Sequence, residues 1–162
     1  MNQEIRDELI EMLPRLRRFA FGLTGSMQEA DDLVQSACER ALDRCHQWLP
    51  GTRLDSWMFK IIKNLHIDEL RKHKLRGDPV DPDDHQPTSD NNAHRAAEVR
   101  SRLKDVAAAM KQLPDDQQAV LMLVCVEEYS YREAAAIMDI PIGTVMSRLA
   151  RARAGLSQRL DR

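Results

Sequence analysis

Apolar residues recur along this chain at intervals of three and four positions, and no segment shows a sustained apolar–polar alternation. Intervals of three and four place side chains on one face of an α-helix, whereas a half-buried strand alternates every second residue. The first apolar stripe consists of Ile5, Leu9, Met12, Leu13, Leu16, Phe19, Ala20 and Leu23. Two helix breakers, Gly22 and Gly25, are expected to end it. The pattern predicts an all-α protein.

Two further helices are predicted before residue 77. Ser26 followed three residues later by Glu29 is the signature of a capping box, which predicts the start of a second helix. The inner face of that helix is formed by Ala30, Leu33, Val34, Ala37, Ala41 and Cys45. Pro50 and Gly51 then interrupt the pattern, and a third helix is predicted from about Leu54 to Lys74.

The helical pattern resumes at residue 99 and continues to the end of the chain. A fourth helix is predicted from the stripe of Val99, Leu103, Val106, Met110 and Leu113. Pro114 suits the start of a fifth helix, where its missing N–H costs nothing. Ser130 and Glu133 form a second capping box. After a break at 139–143, the last helix is predicted from about Thr144 to Arg159. Its inward residues are Val145, Leu149, Ala152, Leu156 and Leu160.

Residues 77–94 separate these two helical parts. They contain three prolines, five aspartates and Val80 as their only large aliphatic residue. Such a segment buries too little apolar area to offset the entropy of ordering it. We therefore predict two small helical domains, 1–76 and 99–162, joined by a flexible acidic linker over 77–98. The 18 residues of 77–94 reach about 60 Å when fully extended.

The net charge of −2 conceals a segregation of charge along the chain. Residues 1–76 carry 13 basic and 12 acidic side chains, residues 77–98 carry 1 and 6, and residues 99–162 carry 10 and 8. Two mildly basic halves therefore flank an acidic insert. No apolar run approaches the roughly 20 residues that cross a bilayer, and the N-terminus lacks the features of a signal peptide. We expect a cytoplasmic protein without membrane insertion.

Catalytic and metal-binding patterns are not found. Cys38 and Cys45 lie two predicted helical turns apart, too far for a disulfide, and core packing is expected for both and for Cys125. The five histidines are scattered, and no carboxylate or cysteine completes a compact metal shell. No Ser/His/Asp set or phosphate-binding glycine loop is present. We expect no cofactor, no metal and no enzymatic activity.

The third helix has one apolar and one cationic face. Lys60, Lys63, Asn64, Ile67, Arg71 and Lys74 cluster within roughly 100° of arc, opposite the apolar side, and Trp57 lies on the border. Lysine and arginine can neutralise phosphates, asparagine can contact a base edge, and tryptophan can stack on an exposed base. The face therefore suits a nucleic-acid backbone. The same pattern also fits an ordinary solvated helix face with Trp57 in the core.

The last two helices form a more specific pattern. YSYREAAAIMDIPIGTVMSRLARAR has the order helix, short turn with proline and glycine, helix, which is typical of a helix-turn-helix. In this motif the second helix enters the major groove of DNA. Its outward side chains are Thr144, Ser147, Arg148, Arg151, Arg159 and Arg162. Their hydroxyl and guanidinium groups suit phosphates and guanine edges, so we predict DNA binding.

Three segments together resemble the RNA polymerase sigma factors of the sigma-70 family, in the compact extracytoplasmic-function subgroup. LPRLRRFAFGLTGSMQEADDLVQSACERAL and GTRLDSWMFKIIKNLHIDELRKHK resemble the two parts of region 2, and LPDDQQAVLMLVCVEEYSYREAAAIMDIPIGTVMSRLARARAGL resembles region 4. The resemblance covers nearly the whole chain outside the linker. It implies a region 2 helical bundle and a region 4 helix-turn-helix. Met146 departs from the basic residue of many members, and region 2 holds few aromatics.

The resemblance implies a role for each region. The helix containing ADDLVQ is expected to contact the polymerase clamp through Asp31, Asp32, Gln35 and Arg40. The loop 49–55 and the third helix are expected to meet the −10 element, with Trp57, Lys60, Lys63, Asn64 and Arg71 as candidates. Thr144, Ser147, Arg148, Arg151 and Arg153 are expected to contact the −35 element. Core RNA polymerase, promoter DNA and an anti-sigma factor are the implied partners.

Two other functions remain open at this point. A sigma-like decoy would sequester an anti-sigma factor without initiating transcription, although the basic faces argue against it. An ordinary helix-turn-helix regulator, with the first domain as a dimerisation module, would bind duplex DNA unaided. A sigma factor of this net charge would bind weakly alone.

Overall fold

The computed structural model describes residues 2–49, 51–77 and 94–161, and within these ranges it contains seven α-helices and no strand. The first half of the chain forms α1 (Asn2–Thr24), α2 (Met27–Asp43) and α3 (Leu54–Arg76), with a 3-10 turn at Cys45–Gln47. The second half forms α4 (His94–Lys111), α5 (Asp115–Leu121), a π-helical turn (Met122–Val126), α6 (Tyr131–Met138) and α7 (Ile142–Leu160). The predicted all-α class is confirmed.

The first half is a three-helix bundle in which α1 packs along α2, and α3 packs against both. Phe19 of α1 and Phe59 of α3 are fully buried, and their rings meet edge to face with centroids 4.8 Å apart. This geometry places the positive edge of one ring against the negative face of the other. At the start of α2, the Ser26 hydroxyl accepts a hydrogen bond from the Glu29 backbone N–H. This is one of the two hydrogen bonds of the predicted capping box, and it fixes the start of α2.

The second half is built around α7, which packs against α4, α5 and α6. Its centre contains the fully buried Val120 and Val145, with Leu149 beside them. Gln118 is a buried polar residue whose Nε2 donates to the backbone carbonyls of Met110 at 2.6 Å and Leu113 at 2.9 Å. The Met110 carbonyl lies in the last turn of α4, and that of Leu113 lies in the turn after it, where carbonyls lack helical partners. Gln118 therefore holds the α4–α5 corner.

The two halves share one hydrophobic core. Gly22 of α1 lies against Met122, so closely that a Cβ at this position would overlap the Met122 side chain. The Phe59 ring also meets the Tyr129 ring edge to face, with centroids 5.6 Å apart. The two halves are therefore packed against each other in this structure.

Several sequence predictions at helix ends are wrong. Gly22 does not end α1, which continues to Thr24; at this position the absence of a Cβ lets the Met122 side chain pack directly against α1. The turn is made by Gly25, whose φ of +72° is a left-handed conformation that favours glycine. The last helix begins at Ile142, two residues before the predicted start.

The boundary of the predicted linker also changes. α4 begins at His94, so residues 94–98, which were assigned to the linker, are helical. The prediction of flexibility for 78–93 lies outside the described residues.

Some apolar residues do not lie where the periodicity predicts. Val99, Leu103 and Leu160 were expected to face inward but are 54%, 62% and 43% exposed. α4 contacts the core from Val106 onward, after Val99 and Leu103, and Leu160 is the last residue of α7. Cys125 is exposed, so core packing is wrong for this residue, and Cys45 lies in the 3-10 turn rather than in α2. None of the three cysteines, all within the described ranges, forms a disulfide.

No helix in the described ranges combines the length and the apolar character needed to cross a membrane.

Candidate nucleic-acid interface

The helix-turn-helix is formed by α6 and α7. The Ser130 hydroxyl accepts from the Glu133 N–H at 3.0 Å while the Glu133 carboxylate accepts from the Ser130 N–H at 3.2 Å, so the predicted capping box is complete. Asp139 ends α6 in a left-handed conformation with φ 58°, and Pro141 precedes α7. Aspartate tolerates this conformation better than most side chains. This turn sets the angle at which α7 leaves the domain.

Four of the five predicted −35 residues lie on one face of α7. Val145, Leu149 and Ala152 are buried against the domain and hold the helix in place. Ser147 and Arg151 are exposed, and Thr144 and Arg148 are half-buried. Two polar contacts involve these residues: the Ser147 hydroxyl donates to the Thr144 carbonyl at 3.1 Å, and Arg148 Nε lies 3.2 Å from Asp116 Oδ2. Arg151 is thus the freest cation of this face.

Arg153 lies on a different flank of α7. Its Nη2 is 3.8 Å from the sulfur of Cys125 in the π-helical turn. Hydrogen bonding to Cys125 raises the pKa of Arg153. Arg153 follows Arg151 by two residues, a rotation of about 200°, so the two side chains leave α7 on nearly opposite sides. The structure does not bring Arg153 together with the other four residues.

The predicted −10 residues on α3 differ in exposure. Asn64 and Arg71 are exposed, and Trp57 and Lys60 are half-buried. Lys63 was predicted on the solvated cationic face, but it is only 7% exposed, and its Nζ lies 3.5 Å from the Met138 carbonyl at the end of α6. Burial lowers the pKa of Lys63, and the neighbouring Lys60 lowers it further.

The correction for Lys63 has a physical cause that periodicity does not contain. A helical wheel separates the face of α3 that packs against its own domain from the opposite face. The second half of the chain then covers part of that opposite face, and α6 is the element that lies over Lys63. The cationic stripe is therefore continuous in sequence. It is interrupted in the closed arrangement, in which the two halves of the chain pack against each other.

Arg53 is a further basic residue of the predicted −10 loop, and sequence reasoning did not single it out. Its guanidinium forms ion pairs with Asp55 at 2.9 Å and with Glu133 of α6, and it lies 5.0 Å from the centroid of the Tyr129 ring. Its only sequence signal is a position next to the start of α3. The Glu133 contact joins the −10 loop to the helix-turn-helix.

Asp55 and Tyr129 titrate abnormally beside Arg53. Burial would raise the pKa of Asp55, but hydrogen bonds from Arg53, from Tyr129 and from the Ser56 N–H outweigh burial and lower it. Burial and the hydrogen bond to Asp55 raise the pKa of Tyr129 to about 12. At neutral pH the carboxylate is charged and the phenol is neutral, as their hydrogen bond requires.

The predicted polymerase-binding residues lie on α2, away from the contact between the halves. Asp31, Asp32 and Gln35 are exposed, and Arg40 is half-buried. Asp31 Oδ1 accepts from Arg17 Nε at 2.8 Å, and Gln35 Nε2 donates to Glu39 Oε1 at 3.3 Å. The face therefore presents carboxylates that a basic partner surface can reach.

An open groove lies between α3 and the helices of the second half, with a volume of about 760 Å³. Its walls include Lys63 and Arg71 of α3 and Arg148 of α7. Half-buried His66 also lines it, and its buried Nε2 has no hydrogen-bond partner among the described residues. Burial lowers the pKa of His66, although Asp115 and Glu69 oppose the shift. The groove thus contains residues predicted for the −10 element beside one predicted for the −35 element.

Comparisons with known proteins find matches to both halves of the chain. Residues 9–76 match the family model of sigma-70 region 2, and residues 103–156 match that of sigma-70 region 4. The chain is 35% identical over 157 residues to the ECF RNA polymerase sigma factor EcfG of Rhodopseudomonas palustris, covering 97% of this chain and 85% of the relative.

Two solved structures share the fold. The sigma factor RpoE of Bartonella quintana, in complex with the anti-sigma factor NepR, is 29% identical with a TM-score of 0.83, covering 98% of both chains. CnrH, in complex with the cytosolic domain of CnrY, has a TM-score of 0.74 at 22% identity, covering 99% of this chain and 90% of CnrH, and shows the fold alone.

Proposed function

The chain belongs to the extracytoplasmic-function (ECF) RNA polymerase sigma factors, and we propose that it binds core RNA polymerase and directs it to promoters through their −10 and −35 elements. The observation that carries this function is the presence, in one chain, of both sigma regions with a polar, basic face on α7. The chemistry of RNA synthesis then belongs to the polymerase, and this chain acts as an initiation factor without catalytic activity of its own.

The −35 element is bound by the outward face of α7. Thr144, Ser147, Arg148 and Arg151 lie there together, on a helix anchored by three buried residues. Guanidinium groups bind guanine edges and phosphates, and hydroxyls near a helix N-terminus bind phosphates. Arg153 was also predicted for this role. Because it lies on another flank of α7, it contacts at most a backbone phosphate of the DNA and no base edge.

The −10 element is bound by the loop before α3 and by α3 itself. Trp57, Lys60, Asn64 and Arg71 are accessible to a nucleic acid in the closed arrangement, at least in part. Lys63 joins them only when α6 moves away, because the end of α6 covers its amine. Trp57 is half-buried, so part of its ring can contact a base.

The remaining partners follow from the family. Asp31, Asp32, Gln35 and Arg40 on α2 form the contact with core polymerase. The Bartonella quintana relative was solved with the anti-sigma factor NepR, and an anti-sigma factor accordingly holds this chain inactive. These roles place the protein in the cytoplasm, where the polymerase is. They require no metal or cofactor.

Run-off transcription tests the function directly. Purified chain is mixed with sigma-free core polymerase and promoter fragments from the native genome, and discrete transcripts that vanish without the chain are expected. Their shared upstream sequences identify the −10 and −35 elements. Core binding without transcripts from any fragment would contradict promoter recognition, and absence of core binding would favour the decoy or the free-standing DNA-binding regulator.

Replacing Arg148 and Arg151 with alanine tests the −35 face. Each lost base or phosphate contact costs about 1–3 kcal/mol, so each replacement should reduce transcription from the identified promoter by roughly 10- to 100-fold. The Arg151→Ala effect should be at least as large, because Arg148 already pairs with Asp116 in the free chain.

Arg153→Ala is the matched comparison on the same helix. It removes the same charge from the flank that contacts Cys125, and a reduction of no more than a few-fold is expected. Core binding, measured by co-elution, should be unchanged in all three variants. Equal losses of transcription for Arg153→Ala and Arg151→Ala would contradict the assignment of the −35 element to the outward face of α7.

A further inference from the structure

Glu127 of the second half is bound by two arginines of the first half. Its side chain is only 1% exposed. Arg18 contributes Nε at 2.9 Å and Nη2 at 3.0 Å to its two carboxylate oxygens, and Arg15 contributes Nε at 3.3 Å. A buried carboxylate is stable only when it is paired and hydrogen-bonded, and here both arginines come from α1. The contact is absent as soon as the halves separate.

The pKa values of the arginines agree with this pairing. The hydrogen bond to Glu127 raises the pKa of Arg18. Burial alone would lower the pKa of Arg15, but its hydrogen bonds to Glu127 and Tyr129 raise it. Arg15 also reaches Asp55 at 3.3 Å, beside the Arg53–Glu133 ion pair. The charges across the contact are therefore connected into one cluster, with Glu127 as its buried member.

The closed arrangement is incompatible with simultaneous binding of both promoter elements. Lys63, Arg71 and Arg148 line one groove of about 760 Å³. The −35 and −10 elements are about 25 base pairs apart, which is about 85 Å along duplex DNA. The two DNA-binding faces must therefore separate, and separation also frees the amine of Lys63 from Met138.

From these observations, and resting on the proposed function, we infer that Glu127 is an autoinhibitory latch. It holds the second half of the chain against α1 until the two halves separate on polymerase and promoter DNA. The latch acts within the chain and requires no anti-sigma factor. Its opening leaves Arg15, Arg18 and Arg53 unpaired by the second half, and a nucleic-acid backbone can then compensate their charge.

The latch is expected to lower the apparent affinity of the chain for promoter DNA. When only the open state is competent, the apparent affinity for promoter DNA falls in proportion to the fraction of open chain. Loss of a charge-assisted contact of this kind shifts such an equilibrium by about tenfold. Weakening the latch should therefore increase, not decrease, the activity of the chain at limiting concentration.

The variant Glu127→Gln tests this inference because it removes the charge and preserves the shape of the side chain. Small-angle X-ray scattering of the free chain should show a larger radius of gyration than that of the unmodified protein. In run-off transcription, the chain concentration for half-maximal transcript should fall by up to about tenfold. Glu128→Gln is the matched control, since it makes the same change at an exposed neighbour and should alter neither quantity.

Arg18→Gln tests the latch from the other half, at a side chain that is 52% exposed and whose replacement leaves the core of α1 intact. It should expand the chain, and the double variant should expand it no further than Glu127→Gln alone, because both act on one contact. If Glu127→Gln and Arg18→Gln both scatter like Glu128→Gln, the latch is overturned. If Glu127→Gln loses helical circular dichroism, Arg18→Gln decides alone. Scattering requires no polymerase, so failure of transcription by the unmodified chain would be a separate result.

Discussion

Replacing Asp31 and Asp32 together with lysine is expected to abolish assembly of the chain with core RNA polymerase. Both carboxylates are exposed on α2, within the region 2 match and in the segment that we propose contacts the polymerase. Reversal of both charges opposes like charges across the proposed contact, which costs several kcal/mol, or roughly a hundredfold or more in affinity. The measurement is co-elution with sigma-free core enzyme, followed by titration of labelled chain.

The fold should survive this double replacement. Asp31 pairs with Arg17, but both side chains are about half exposed, and an exposed pair of this kind contributes only about 0–1 kcal/mol to stability. Glu8→Lys with Glu11→Lys on α1 is the matched control, since it reverses two exposed acids by the same total charge. Normal co-elution of the Asp31/Asp32 variant, or equal loss in the control, would refute the α2 contact.

Phe59→Ala is expected to destabilise the whole chain by about 3–5 kcal/mol. Phe59 is fully buried, and its ring meets Phe19 of α1 on one side and Tyr129 of the second half on another. Truncation removes both edge-to-face contacts and leaves a cavity where the two halves meet. Since a domain is stable by only about 5–15 kcal/mol, this is a large share of the total.

Urea unfolding followed by helical circular dichroism measures this loss. Ile10→Ala is the control, because Ile10 is a large aliphatic residue on the exposed side of α1 and its truncation should change stability by no more than about 0.5 kcal/mol. Unfolding of Phe59→Ala in two separated transitions would indicate that the halves fold independently. A midpoint equal to that of Ile10→Ala would contradict the shared core.

Much of the secondary structure was predictable because its determinants are local. Ser130 and Glu133 form the predicted capping box, and Val145 and Leu149 face inward as the helical period requires. Capping bonds join residues three apart, and a helical stripe repeats within one turn, so neither depends on the rest of the fold. The family, too, is recognisable from segments that keep their spacing within single helices.

Predictions weakened where a residue's environment comes from the other half of the chain. Gly22 looks like a breaker in the sequence, but Met122, a hundred positions away, makes it a close-packing residue within α1. Lys63 looks like a solvated cation, but the end of α6 covers it. Periodicity separates two faces of a helix and does not say which partner meets either face.

The amino-acid sequence by itself determined the helices, their inner faces, the helix-turn-helix and the membership of the sigma-70 family. Only the tertiary structure decided that the halves close on each other and that Glu127 is buried between Arg15 and Arg18. The reason is physical: helix formation and capping act between residues a few positions apart, whereas burial of a charge depends on groups brought together from distant parts of the chain.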